Sequence, residues 1–191
     1  LLFIDVPVGS GSLYILVHDS ACGGAYDEIN GNPTCDTPFA FEVYGGDGTF
    51  TDPDARTHLP TSGATSGTLL DAATFVADPS WDDLWYSFGP FDYAQGELVN
   101  GRRIFKLSVR AGPEPPFALG SNQTDLNLYN VAVSNVDTTN DPPEGARIFA
   151  YSWTYLIPAS ESNDPTQVFP FVGPEVTTLV QHNWDFDRSG A

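Results

Sequence analysis

Apolar and polar residues alternate with a period of two along most of the chain, the spacing that lines one face of a β-strand. Phe105, Leu107 and Val109 alternate with Lys106, Ser108 and Arg110, and Phe39, Phe41 and Val43 alternate with Ala40 and Glu42. Leu13, Ile15 and Val17 alternate with Tyr14, Leu16 and His18, so both faces of that strand carry bulk. Tyr129, Val131 and Val133 make a further stripe, and Phe149, Tyr151, Trp153 and Tyr155 place aromatic rings along one face of another. Core packing is the first use of that aromatic stripe, and a sugar-stacking platform the second. Residues 69–76 read as a strand rather than a short helix. Asn100-Gly101, set between Glu97-Leu98-Val99 and Arg102, is the signature of a two-residue type I′ hairpin. The stretches 51–66, 111–124 and 137–145 predict long loops, because they are rich in Pro, Gly, Ser and Thr. About eight to ten short strands without βα alternation predict an all-β antiparallel sandwich, of jelly-roll or C2-like type. A boundary at 158–166 would separate a sandwich domain, 1–157, from a linker and terminal strand, 158–191, packed on the same domain or on a neighbour.

Composition narrows the function classes. The 191 residues include 13 Phe, 8 Tyr and 4 Trp, enough apolar bulk for a real core. Twenty-five acidic against 7 basic residues give a net charge of −18, and Lys106 is the only lysine. Such a field repels phosphate backbones and excludes nucleic acid as a partner. No apolar run approaches the roughly 18 residues of a membrane-spanning helix. Asp outnumbers Glu 18 to 7. Loop aspartates are the usual oxygen ligands of calcium, whereas a solvated acidic surface accounts for most of the excess.

The densest chemistry lies in HDSACGGAYDEINGNPTCD, residues 18–36. Cys22 and Cys35 read as a disulfide of an oxidising compartment, because both lie in a loop rather than on an apolar face; two reduced thiols of a cytosolic protein are the alternative. A bridge would close a loop worth roughly 3 kcal/mol in the chain-entropy model. Zinc would need two more ligands than these cysteines, and His18 alone does not supply them. Asp19, Asp27, Glu28 and Asp36 fall inside or beside the loop, and Asp47 follows in the turn Gly45-Gly46-Asp47-Gly48. Loops converge at the ends of a sandwich, so these carboxylates, with Asp125 if its loop lies at the same end, form a candidate calcium site. The glycines would let backbone carbonyls fill the remaining coordination positions. The spacing is not that of an EF-hand. Asn122-Gln123-Thr124 is a glycosylation sequon. With Leu1 opening directly into a strand-like run, the expectation is a piece of a longer exported chain, extracellular or at the cell surface.

The stretches FIDVPVGSGSLYILVHDSACGGAYDE and TPFAFEVYGGDG resemble the opening of β-sandwich modules found in large exported bacterial proteins. There, a strand ending in Asp leads into a Gly-Gly-x-x-Asp loop, then a strand and a glycine-rich turn. SFGPF, GRRIFKLSVRAG and LNLYNVAVS are similar to later strands, so the resemblance spans residues 3–157. It implies a C2-like or jelly-roll sandwich with calcium in its loops, a non-catalytic surface role, and Asp19 and Asp27 as the loop acids. The cysteines have no place in that pattern.

Two other function classes remain open. Trp81-Asp82-Asp83-Leu84-Trp85-Tyr86 is the best carbohydrate-binding candidate, provided that Trp81, Trp85 and Tyr86 share one exposed face; core aromatics flanking a turn are the alternative. A secreted hydrolase would need a base, and His18, His58 and His182 stand near no nucleophile motif. The leading expectation is therefore a non-enzymatic, calcium-stabilised module of a cell-surface adhesive or structural assembly. Its partners would be copies of itself, neighbouring surface proteins or polysaccharide. Residues 1–6 and 176–186, pairing with the sheet edge of a neighbouring copy, would make it a filament or layer subunit.

Overall fold

The computed structural model describes residues 1–22, 38–56, 65–76, 78–111 and 129–150, all within the compact unit Leu1–Trp153. Among them are nine strands and no α-helix: β1 (Leu2–Pro7), β2 (Ser12–His18), β3 (Phe39–Gly45), β4 (Thr68–Phe75), β5 (Trp85–Asp92), β6 (Glu97–Val99), β7 (Arg102–Ala111), β8 (Asn130–Ser134) and β9 (Arg147–Phe149). All pairings are antiparallel. One sheet has the order β4-β3-β7-β1-β9, with β6 also on β7, and the other the order β5-β2-β8. The boundary expected at 158–166, the rest of the aromatic stripe beyond Phe149, and the run 176–186 lie outside the described residues.

The stripes meet between the sheets. Phe41, Val43, Phe105, Leu107, Ile4 and Val6 from the larger sheet face Leu13, Ile15, Val17, Phe88, Phe91 and Val133 from the smaller one in a single cluster. Asn100 and Gly101 both have positive φ, 49° and 77°, as a type I′ turn requires. Gly45 ends β3 where a Cβ would stand 2.3 Å from the Gln95 carbonyl oxygen, so only glycine allows the two backbones to approach. That approach lets the Gly46 amide donate to the same oxygen at 2.6 Å.

One expectation changes here. Residues 1–6 are not an exchangeable terminal strand: β1 is interior, paired with β7 on one side and β9 on the other. Phe3, Ile4, Asp5 and Val6 are all buried, the mark of a strand covered on both faces. The polar side of β7 is covered as well. The segment after β3 folds back over it, and Phe50 packs edge-on to Phe3 at 5.3 Å while Phe149 stacks on Phe3 at 5.8 Å. Lys106, Ser108 and Thr49 consequently have no exposure.

Candidate functional site

Strand register determines which loops can meet. In the larger sheet Phe39 pairs with Phe75 and with Ala111; in the smaller one His18 pairs with Trp85 and with Asn130. Rings join the two sheets at this level, with Phe41 against Tyr129 at 5.3 Å and Phe75 against Tyr86 at 5.0 Å. The connections 19–38, 76–84 and 112–129 therefore begin and finish at one end of the sandwich.

At that end β2 does not run out into solvent. Asp19 takes a left-handed backbone, φ 56°, a conformation Asp tolerates better than most residues. Its amide donates to the Leu84 carbonyl at 2.9 Å, tying the β2 exit to the start of β5. The turn drives Asp19, Ser20, Ala21 and Cys22 inward, each at 2% exposure or less. A carboxylate so placed requires donors or a cation to offset its lost hydration. His18, also buried, sets Nε2 at 3.1 Å from Asp83 Oδ1, with its ring centroid 5.0 Å from that of Trp85. Beneath the loops an aromatic wedge closes the core. Trp81 packs edge-on to Phe75 and Tyr86 at 5.5 and 5.3 Å, and Tyr86 to Phe88 at 4.8 Å. Burial pushes the Tyr129 phenol up, in keeping with its place in that wedge.

The acids expected to share calcium are distributed as follows. Asp19 stands at the loop end, buried. Asp47 does not join it: it is exposed in the turn after β3, at the opposite end of the strand that Phe39 opens. Asp27, Glu28, Asp36 and Asp125, together with Cys35 and Asn122, lie outside the described residues. The ends of β7 and β8, which bound the segment carrying Asp125 and Asn122, are at the Asp19 end. Among the described residues no group of three His, Cys, Asp or Glu is arranged to hold a metal.

The tryptophan cluster does not form a platform. Trp81 and Tyr86 turn into the wedge, and strand alternation sends Trp85 to the surface, at 40% exposure. The one shared exposed face that sugar stacking would need is therefore absent among these three side chains.

A second polar centre escaped the sequence reading. On the outer face of the larger sheet, Glu97 accepts from the Phe50 amide at 2.5 Å, the Thr51 amide at 3.2 Å and the Thr51 hydroxyl. Burial raises its carboxyl, but the bonds from Thr51, Phe50 and Gly48 outweigh that effect and hold it below the ordinary value. Beside it, Lys106 Nζ donates to Ser66 O at 2.8 Å and Ser66 Oγ at 2.7 Å, and lies 5.2 Å from the Tyr44 ring centroid. Burial lowers the Lys106 ammonium to about 8 against the attraction of Asp52 and Glu97. Arg102 pairs with Asp5 at 2.6 Å, and Arg110 with Glu42, which also accepts from Tyr44 Oη. The signal was the only lysine of the chain sitting mid-strand. The Glu97 and Lys106 bonds fasten the segment after β3 to the sheet.

Comparison with protein-family models, with curated proteins and with solved structures finds no match.

Proposed function

We propose that this chain is an exported, non-catalytic β-sandwich module of a cell-surface adhesive or structural assembly, with calcium held at the loop end. The observation that carries the reading is the fully buried Asp19 carboxylate at the mouth of three connections that share one end of the fold. Two of those connections carry Asp27, Glu28, Asp36 and Asp125 in sequence. Calcium coordinated by loop carboxylates from separate connections would offset the charge of Asp19 and tie the connections together. Asp47 has no part in it. Cys22 belongs to the same reading. It is buried and, among the described residues, no cysteine is free, which supports a bridge to Cys35, the only other cysteine of the chain, and with it an oxidising compartment. Copies of the chain or neighbouring surface proteins are the partners this reading implies. Carbohydrate binding is the weaker reading, because Trp81 and Tyr86 are engaged in the wedge.

Thermal melts in calcium and in chelator test the metal. Ligand that binds only the folded state adds RT ln(1 + [L]/Kd), so millimolar calcium should raise the melting temperature by several degrees. Asp19→Asn combined with Asp27→Asn should abolish that rise while leaving the chelator melt close to wild type. A wild-type melt indifferent to calcium removes the site. Cys22→Ser should lower the melting temperature in oxidising buffer and not in reducing buffer.

A further inference from the structure

Most exposed large apolar residues of the described chain stand singly, such as Val8, Leu69, Leu98 and Val136. Isolated apolar residues on a surface are ordinary. Leu84 and Trp85 are different: they are consecutive, and they are 51% and 40% exposed. Their backbone is also held from several directions. The Leu84 amide donates to the Trp81 carbonyl at 3.2 Å, and the Leu84 carbonyl accepts from the Asp19 amide. Asp83, in a left-handed conformation with φ 57°, is paired to His18, and the Trp85 ring leans on the His18 ring. Trp81, three residues earlier, is anchored in the wedge, and Asp78 opens the turn by accepting from the Ser80 amide at 2.9 Å. A leucine and a tryptophan are thus presented to water on a rigid support. Rigid aromatic and aliphatic anchors lose little conformational entropy on binding and are the residue types that concentrate interface energy.

We infer that Leu84 and Trp85 form the centre of a docking surface for another protein, one presenting an apolar pocket rimmed by lysine or arginine. The basic rim follows from charge complementarity. Asp78, Asp82 and Asp83 share the turn with the two apolar side chains, and no lysine or arginine occurs between positions 57 and 101 of the sequence. A second copy of this chain would bring acid against acid, so the partner is a different, cationic surface. Like-charge juxtaposition opposes association, and opposite charge both steers and orients it. The surface goes beyond the calcium reading and stands without the metal.

The test uses a soluble peptide of alternating leucine and lysine as probe, with polylysine as the charge-only control. Tryptophan emission is recorded for the whole chain and for Trp85→Phe, in calcium and in chelator, so that failure of the metal site and failure of this surface are separable. The expected result is a saturable blue shift for the leucine-lysine peptide, weakened by salt and missing from Trp85→Phe. Leu84→Ser should weaken binding about tenfold or more, the size expected of an interface anchor. Leu98→Ser, an equally exposed change at the β6–β7 hairpin, should leave it unaltered. Leu84→Ser keeps the test decisive if a change at Trp85 impairs folding. Equal binding by polylysine, equal binding by Leu84→Ser, or a blue shift obtained only with lipid vesicles would each overturn the proposal.

Discussion

Replacing Glu97 by Ala should destabilise the protein by about 4 kcal/mol, because the change strands several donors beneath the segment that crosses the larger sheet, at roughly 1–3 kcal/mol for each buried group left unsatisfied. Glu97 is 5% exposed and receives the Phe50 amide, the Thr51 amide and the Thr51 hydroxyl. Once they are released, Phe50 loses its seat against Phe3 and Phe149, and the outer face of β7 opens to water. Chemical denaturation would give the energy, and hydrogen exchange at Phe50 and Thr51 would locate it. Glu97→Gln keeps an acceptor and should cost less than Glu97→Ala. The carboxyl is held below its ordinary 4.5, so the folded state binds fewer protons than the unfolded one. Its contribution is complete above that value and is lost as the pH falls through the lower, folded one. The acid limb of the stability profile should therefore be shallower in Glu97→Gln. A loss below about 1 kcal/mol in Glu97→Ala, the worth of one ordinary hydrogen bond, would mean that these bonds do not hold the segment.

How far the sequence foretold this molecule depends on which property the period of two encodes. It says which residues share a face, and Phe105, Leu107 and Val109 do line the core. It does not say whether the opposite face is covered. The cover over Lys106 and Ser108 comes from a turn segment with no periodicity of its own, anchored by Glu97 some fifty residues away. Proximity in sequence misled at Asp47. Only 28 positions separate it from Asp19, yet a strand of seven residues, roughly 20 Å long, lies in between and carries it to the other end. Trp85 and Tyr86 are adjacent, and alternation sends them to opposite sides of β5. The interior position of β1 was legible in principle. Leu2–Val6 has bulk on both faces, as a strand covered on both sides does. The buried corner at Asp19 had a clear local cue, a strand closing into an Asp rather than a Gly.

Raising the pH from 8 to 10 should stabilise the protein, and Lys106→Met should remove that dependence. The Lys106 ammonium falls from the ordinary 10.5 to about 8 because it is buried; Asp52 and Glu97 recover only part of the loss. A lowering of that size corresponds to about 3 kcal/mol of stability forgone at pH 7. Between the two values the unfolded chain holds a proton that the folded chain has released, so unfolding takes up protons and stability rises with pH, by about 2 kcal/mol from pH 8 to 10. The gain should level off above pH 10. There Tyr44 acts in the opposite sense: burial, then the bond to Glu42 and its charge, push the phenol well above its ordinary 10, so the folded state retains a proton that the unfolded state gives up. Denaturant midpoints at pH 7, 8, 9 and 10 would trace the profile. Lys106→Met keeps the length of the side chain beside Tyr44 and discards the charge, at the cost of the bonds to Ser66. Removing the desolvated charge also strands the two Ser66 acceptors, so the two effects oppose each other; the variant should show no gain from pH 8 to 10 and should change by no more than about 1 kcal/mol at pH 7. A variant that still gains stability from pH 8 to 10 would move the effect to another group. A variant that loses several kcal/mol at pH 7 would mean that the ammonium, through Ser66, Asp52 and Glu97, clamps the segment more strongly than its burial opposes it.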